Sequence, residues 1–232
     1  MKRNYQKELE AILEKTENRG KRLFLHSCCA PCSSYVLIYL RAFFRITVFY
    51  YNPNITQQEE YRKRAAEQKR LIAVLNRERD AGAADVFPIA VQEGEYNPAV
   101  FLEAAQGLEQ CPEGGQRCSL CFALRLGETV RKAKAQGFDC FTTTLTISPL
   151  KDAERLNAIG REMGERYAIP FLPSDFKKKD GFRQSVLLSE KYGLYRQDYC
   201  GCVFSREERE RCRAAAEMES KNIMAERKSC NI

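Results

Sequence analysis

Seven of the eleven cysteines in this 232-residue chain stand in three short groups. The groups are Cys28, Cys29 and Cys32; Cys118 and Cys121; and Cys200 and Cys202. A thiolate can act as a nucleophile, as a redox group or as a soft metal ligand. An odd number of cysteines argues against a framework of structural disulfides, which the reducing thiols of a cell also oppose. The cysteine pattern therefore indicates metal binding or redox chemistry.

Two of the groups have the spacing of metal ligands. Cys118 and Cys121 stand at the start of a predicted helix, where both sulfurs can face one metal and the helix dipole favours thiolates. Cys28 and Cys29 fall in a predicted loop, where adjacent side chains can turn to the same side. Together the two pairs supply four soft ligands, which suit zinc or an iron–sulfur cluster.

The segment Cys200-Gly201-Cys202 gives a different signal. A disulfide across so short a ring is strained, and strained disulfides tend to be labile and redox-active. Gly201 permits the unusual backbone that such a ring demands. A redox couple, two further metal ligands and two idle thiols are all compatible with this spacing. Cys32 and Cys111 also have no assigned role, and the remaining cysteines are expected to be core or surface thiols: Cys140, Cys212 and Cys230.

Other polar residues flank the cysteine groups. His26, the only histidine, ends the first predicted strand and is either a proton donor or a structural side chain. Asn52 follows the second strand and Thr144 ends a threonine run in the fourth, so both are candidate ligand contacts. Lys177 and Lys178 lie in a loop expected to flank the site, as solvated residues or as phosphate contacts. One basic helix face is expected to be solvated: Arg62, Lys63, Arg64, Lys69 and Arg70.

The elements that position these residues alternate between strand and helix. Strands are predicted at 21–27, 46–51, 85–91, 139–146 and 169–172, and helices at 33–43, 56–79, 98–105, 116–136, 152–167, 181–192 and 205–227. This alternation implies right-handed βαβ units and a doubly wound, mostly parallel sheet. Ligands bind outside the carboxyl ends of the strands of such sheets, so the loops after strands one, two and four should meet at one crevice.

The composition fits one globular α/β domain over 1–232, with a core at about 21–205 and helical extensions at 1–20 and 205–228. Hydrophobic residues make up 44% and charged residues 30%, which excludes wholesale disorder. No apolar run approaches the roughly 18 residues of a membrane span, and the N-terminus lacks the apolar region of a secretory signal. A cytoplasmic protein is therefore expected. The net charge of +7 favours a polyanionic partner without requiring one.

Several motifs in colinear order resemble the epoxyqueuosine reductases of the QueH type. They are LHSCCAPCSS at 25–34, FYYNPNI at 49–55 with Glu60-Tyr61-x-x-Arg64, CSLCFALRL at 118–126, FTTTLTISPLKD at 141–152, and PSDFKKKDGFRQS with LYRQDYCGCVFS within 173–205. The resemblance covers about 21–205. It implies an enzyme that completes queuosine biosynthesis by reducing the epoxide of epoxyqueuosine to a cyclopentene at the wobble position of tRNA. It also implies a Rossmann-like fold related to the HUP domains, the tRNA anticodon arm as partner, and an electron donor.

The same resemblance assigns roles to the cysteines. Cys28, Cys29, Cys118 and Cys121 would hold a [4Fe–4S] cluster, beside which some members carry an additional mononuclear iron. Cys200 and Cys202 would be the redox-active pair. Three further residues are candidates for the proton donor: His26, Asp175 and Tyr199.

Two other functions compete with this interpretation. A tRNA thiolase or ATP pyrophosphatase on a similar fold needs a glycine- and serine-rich loop after the first strand, to cradle pyrophosphate with backbone amides. Here that loop contains no glycine, and Pro31 lacks an N–H, which argues against ATP chemistry. A zinc-stabilised RNA-binding module would explain four thiolates and the positive charge, but it leaves Cys200 and Cys202 without a role.

Overall fold

A sheet of four parallel strands lies at the centre of the computed structural model, which describes residues 3–82 and 85–229. The strands are β1 (Arg22–His26), β2 (Arg45–Tyr50), β3 (Ile89–Glu93) and β4 (Cys140–Thr143). Their order is β3-β2-β1-β4, and each neighbouring pair is parallel. This is the order of a doubly wound Rossmann-like sheet, so the predicted fold class is confirmed.

Helices cover both faces of this sheet. They are α1 (Tyr5–Leu13), α2 (Ala30–Leu40), α3 (Gln58–Asp80), α4 (Ala99–Ala104), α5 (Gln116–Ala135), α6 (Ala153–Tyr167), α7 (Gly181–Lys191) and α8 (Val203–Ser229). One core cluster joins α1, α2 and α3 to one face of the sheet, and a second joins α5 and α6 to the other. The long α8 forms the predicted C-terminal helical extension.

The middle of β1 is apolar because both faces of the strand are covered. Leu23 and Leu25 face the cluster that contains α2 and α3, whereas Phe24 faces the cluster that contains α5. All three side chains are fully buried, and Phe24 stacks on Phe49 of β2. An apolar run at the centre of a strand that is covered on both faces is typical of parallel sheets.

The path of the chain opens a crevice at the carboxyl ends of β1 and β4. The chain leaves β1 into α2 on one face, and after β4 it enters α6 on the other. The two connections diverge from neighbouring strands, which is the position where doubly wound sheets bind their ligands.

The structure corrects three predicted strands. The predicted strand at 169–172 is reduced to one bridge between Phe141 and Phe171, because Pro170 and Pro173 have no N–H for a longer ladder. The third strand begins at Ile89, after Pro88, instead of at residue 85. The fourth ends at Thr143, and the chain continues as a 3-10 turn over Thr144–Ile147.

Two smaller observations complete the fold. No helix among the described residues combines the length and the apolar character that crossing a membrane requires. Cys140 is buried and Cys212 is exposed, as expected for core and surface thiols, and Cys230 lies outside the described residues.

Candidate functional site

The loops that follow β1, β2 and β4 line two adjoining cavities at the carboxyl edge of the sheet. The Cys28 cavity is lined by Cys28 after β1 and Lys151 after β4. The Cys118 cavity is lined by Asn54 after β2 and by Lys151 again. Cys200 lines both cavities. The three loops therefore meet at one crevice, as their sequence positions predict.

Three cysteines cluster where the chain enters α2. The sulfurs of Cys28, Cys29 and Cys32 lie within 4.8 Å of one another, and those of Cys28 and Cys29 are 3.8 Å apart. Cys29 occupies the N-cap of α2, and Cys32 follows one helical turn later. Thr144 fixes the loop, because its Oγ1 accepts a hydrogen bond from the Cys28 N–H and lies 3.6 Å from the Cys28 sulfur. This local geometry can hold a metal ion.

The pKa values of the three thiols shift in different directions. Hydrogen bonds from Cys29 and Cys32, together with the positive charge of Arg125, hold the pKa of Cys28 well below its usual range. The same contacts with Cys28 raise the pKa of Cys29 to about 12 and raise that of Cys32. One negative charge is therefore concentrated on Cys28. A metal that binds all three sulfurs displaces the remaining protons.

Cys118 and Cys121 lie on the first two turns of α5, as predicted. The Gly114 N–H donates a hydrogen bond to the Cys118 sulfur at 3.2 Å. Burial raises the pKa of Cys121 to about 11. Both residues line the Cys118 cavity together with Cys200 and Cys202. Of the four predicted cluster ligands, Cys118 and Cys121 line one cavity, Cys28 lines the other and Cys29 lines neither, and their joint role stays a prediction.

Arg125 is the buried cation between the two groups of thiols. Its Nε donates to His26 at 3.3 Å, its Nη2 to Asn52 Oδ1 at 2.5 Å, and its Nη1 to the Cys121 sulfur at 4.0 Å. No carboxylate among the described side chains forms an ion pair with it. Negative charge on Cys121, Cys200 and Cys28 raises its pKa. A buried guanidinium requires anionic partners, and thiolates, free or metal-bound, are the ones at hand.

The side chains of His26 and Asn52 form hydrogen bonds with the protein around Arg125. The His26 ring is buried, and its Nδ1 lies 2.9 Å from Thr143 Oγ1. Burial and the Arg125 charge lower the pKa of His26 to about 3, so the ring is neutral. The amide of Asn52 donates to the Ser27 carbonyl at 2.9 Å and accepts from Arg125. Both side chains position Arg125, and their predicted roles as proton donor and substrate contact stay predictions.

The loop of Cys200 and Cys202 is held by a buried arginine of α3. Arg64 pairs with Glu60 at 2.6 Å and donates to the Cys200 carbonyl at 3.0 Å. Gly201 has a φ of +119°, and a Cβ there would lie 2.8 Å from the Ile55 side chain. Both cysteines are free thiols, and burial raises the pKa of Cys202 to about 12. The expectation that Arg64 faces solvent is wrong, because this loop covers it.

The predicted residues of the 174–180 loop line a third space, the Asp175 cavity. Asp175 lies there with Lys177 and Lys178, and the Lys177 ammonium is 3.0 Å from the Asp175 carboxylate. Lys151 lines this cavity as well as the other two. The loop therefore adjoins the cysteine site through Lys151.

The sequence analysis assigns no role to Glu113, Asn54 and Gln197, which also shape the site, although Asn54 and Gln197 stand within its motifs. Glu113 lines both cysteine cavities, and Tyr199, a candidate proton donor, lines the Cys28 cavity. The buried amide oxygens of Asn54 and Gln197 have no hydrogen-bond partner among the described residues, and each residue lines one of these cavities. A bound ligand can satisfy them. The pair Glu60 and Arg64, spaced i to i+4, is the one local cue in this set.

Comparisons with known proteins agree with this site. The family model for epoxyqueuosine reductase QueH matches residues 23–208, which contain every cysteine of the three groups. A protein named epoxyqueuosine reductase QueH from Streptococcus pyogenes serotype M1 is 40% identical over 204 residues, covering 87% of this chain and 78% of its own. The protein of that name from Staphylococcus epidermidis is 39% identical over 206 residues, covering 87% and 84%. The one from Thermotoga maritima is 34% identical over 190 residues, covering 81% and 91%. The chain therefore belongs to the epoxyqueuosine reductase QueH family.

Proposed function

We propose that this protein reduces epoxyqueuosine to queuosine at the wobble position of tRNA in the cytoplasm, as the last step of queuosine biosynthesis. Membership of the QueH family supports the reaction. The position of Cys200 supports this reaction in the present chain, because Cys200 lines both the Cys28 cavity and the Cys118 cavity. A substrate in either cavity is in reach of a thiol whose neighbour, Cys202, can complete a disulfide.

The stoichiometry of the reaction suits a dithiol. Removing the epoxide oxygen as water and leaving an alkene consumes two electrons and two protons. Oxidation of Cys200 and Cys202 to a disulfide releases two electrons and two protons, so the two half-reactions balance. An electron donor of the cell then reduces the disulfide for the next turnover.

The cysteine groups also suit a metal cofactor. By resemblance to the family, Cys28, Cys29, Cys118 and Cys121 would hold a [4Fe–4S] cluster, beside which some members carry an additional mononuclear iron, and the role of Cys32 stays open. Such a group supplies electron transfer and a Lewis acid for the epoxide oxygen. The donor set fits it, because Arg125 is a buried cation that lacks a carboxylate partner among the described side chains and requires thiolate charge.

The cavities also suit a nucleotide taken out of its stack. Leu150 and Phe182 line the Cys28 cavity with 72% and 37% of their surface exposed, and Pro149 lies between Leu150 and Ser148 on the same wall. Enzymes that modify a base extrude it into a pocket lined by apolar and aromatic side chains. Lys177 and Lys178 in the adjoining Asp175 cavity are then placed for the flanking phosphates, and Asn52 and Thr144 support the loops that frame the base.

The start of α2 disfavours the competing ATP chemistry. Its first residues are Ala30, Pro31 and Cys32, so a proline without an N–H and a thiol stand where a nucleotide-binding loop presents backbone amides.

Conversion of the substrate tests the proposal. The protein is purified without oxygen, supplied with iron and sulfide, and incubated with dithionite and tRNA that carries epoxyqueuosine. Digestion and mass spectrometry should show a nucleoside lighter by one oxygen atom, in the wild type and in C140S, whose substitution lies in the core. Complete recovery of epoxyqueuosine with both proteins would refute the function.

A further inference from the structure

Lys151 stands where all three cavities meet. It lines the Cys28, Cys118 and Asp175 cavities and is half-buried. Burial lowers the pKa of its ammonium, whereas the thiols of Cys200 and Cys28 and the carboxylate of Glu113 raise that pKa, and the net direction is upward. No carboxylate among the described side chains forms an ion pair with it. Its ammonium is thus a hydrogen-bond donor that the protein holds at the crevice without a fixed acceptor.

The backbone around Lys151 is fixed on both sides. Its N–H donates to the Ser148 carbonyl at 3.2 Å, and its carbonyl accepts from the Lys177 ammonium at 3.4 Å. The next residue, Asp152, caps the N-terminus of α6 through hydrogen bonds to Glu154 and Arg155. These hydrogen bonds fix the Lys151 backbone at the crevice, which distinguishes it from the backbone of a lysine on a solvated loop.

We propose that Lys151 is a catalytic residue that donates a hydrogen bond to the epoxide oxygen and gives it a proton as it leaves. This inference rests on the proposed function and names a residue for it. Lys151 shares with Cys200 the boundary between the two cysteine cavities, so an epoxide within reach of the Cys200 sulfur is also near the ammonium.

The chemistry of the leaving oxygen needs such a donor. As the C–O bonds break, the oxygen develops the charge of an alkoxide, which is basic enough to take a proton from an ammonium. The two carbons keep the two electrons from the dithiol and form the alkene. The oxygen takes two protons and leaves as water, and the dithiol releases two protons as it closes to a disulfide. One of these restores the Lys151 ammonium, so protons and electrons balance over the turnover.

Single-turnover kinetics at saturating tRNA test this assignment. In K151M the rate of epoxide reduction should fall about 100- to 1,000-fold, as when a donor to a developing oxyanion is removed. Binding of tRNA that carries the product queuosine should not change, because this tRNA has every phosphate and base contact and lacks only the epoxide oxygen. K134M, which alters an exposed lysine at the far end of α5, should match the wild type in both measurements.

Three results would overturn the assignment. The rate of K151M could equal that of the wild type, or it could fall only as far as the affinity for queuosine-containing tRNA falls, which would make Lys151 a binding residue. In the third case, K151Q could keep the full rate with the iron content and circular dichroism of the wild type. If K151M does not fold, the same rate and binding measurements are made on K151Q. If the wild type itself leaves epoxyqueuosine unchanged, the proposed function fails, and a loss confined to the Lys151 variants cannot be mistaken for that outcome.

Discussion

The Arg125 guanidinium lies one helical turn from Cys121 on α5, with its Nη1 4.0 Å from the Cys121 sulfur and both side chains buried. This contact places positive charge beside a thiol whose pKa burial raises, and the charge acts in the opposite direction, in favour of the thiolate. The same guanidinium favours the thiolate of Cys28 across the crevice. One cation therefore stabilises negative charge in both cysteine groups.

Replacing Arg125 should weaken both metal retention and folding. In R125M the thiolate charge loses its buried partner, and breaking such a pair costs about 3–5 kcal/mol. We expect a lower iron content after reconstitution and a loss of that size in the free energy of unfolding. Urea denaturation of the reconstituted protein and iron analysis measure the two effects.

The matched control for that substitution is R131M on the same helix. Arg131 is exposed and pairs with Glu128 at 2.7 Å, and exposed ion pairs contribute about 0–1 kcal/mol. Equal effects of R125M and R131M on stability and on iron content would contradict the role given to Arg125.

Substitution of Gly201 should displace Cys200. In G201A the new Cβ meets Ile55 and Arg64, and the backbone is also strained at a φ of +119°. G137A shares the strain of a positive φ, about 1–2 kcal/mol, but its Cβ meets nothing within 4 Å. We expect G201A to lose epoxide reduction and G137A to keep it, with similar secondary structure by circular dichroism. Full activity of G201A would show that the loop conformation is not needed.

The predicted cluster ligands can be tested by metal content. C118S and C121S should lose iron and the brown colour of the reconstituted protein, because each removes a thiolate from the proposed [4Fe–4S] site. C140S should keep both, since Cys140 is buried in β4 away from the two cavities. If the wild type binds zinc alone and is active, the assignment of an iron–sulfur cluster is wrong.

Binding of tRNA should depend on salt through Lys177 and Lys178. Each lysine that contacts a phosphate releases counterions, so its removal should reduce the slope of log affinity against log salt by about 0.7. The double variant K177A/K178A should reduce the slope by about twice that amount at unaltered iron content, while K134A should leave it unchanged. An unchanged slope would mean that these lysines are only solvated.

The sequence predicts the strands and helices that frame this site better than it predicts which charged residues are buried there. Strand β1 is recognisable because Leu23, Phe24 and Leu25 are apolar on both faces of the sheet, and its position places Cys28 at the carboxyl edge. The 169–172 segment has a similar apolar composition, yet Pro170 and Pro173 limit it to one bridge. The sequence thus shows which residues lack the backbone N–H that a strand needs. Whether that lack shortens the strand depends on how the segment pairs with its neighbour.

The buried cations could not be predicted from the sequence. Arg64 stands in a charged run of α3, Arg125 between two leucines of α5, and Lys151 in the loop before α6. None of these settings predicts a cation at the site. Only the fold shows that the 199–201 segment covers Arg64. Only the fold likewise shows that Arg125 of α5 reaches Asn52, in the loop after β2. Likewise, Cys32 lies close to Cys28 and Cys29 because α2 begins at Ala30. The sequence pattern predicts a start three residues later, at residue 33.

The most direct test of the central claim counts thiols in a single turnover. Reduced protein, reconstituted without oxygen and freed of reductant, is mixed with an equal amount of tRNA carrying epoxyqueuosine, and its cysteines are alkylated before and after reaction. The account predicts queuosine in an amount equal to the protein, with Cys200 and Cys202 protected from alkylation as a disulfide, and C200S and C202S inactive with normal iron content. Queuosine formed in that amount while both thiols remain fully alkylated would contradict it.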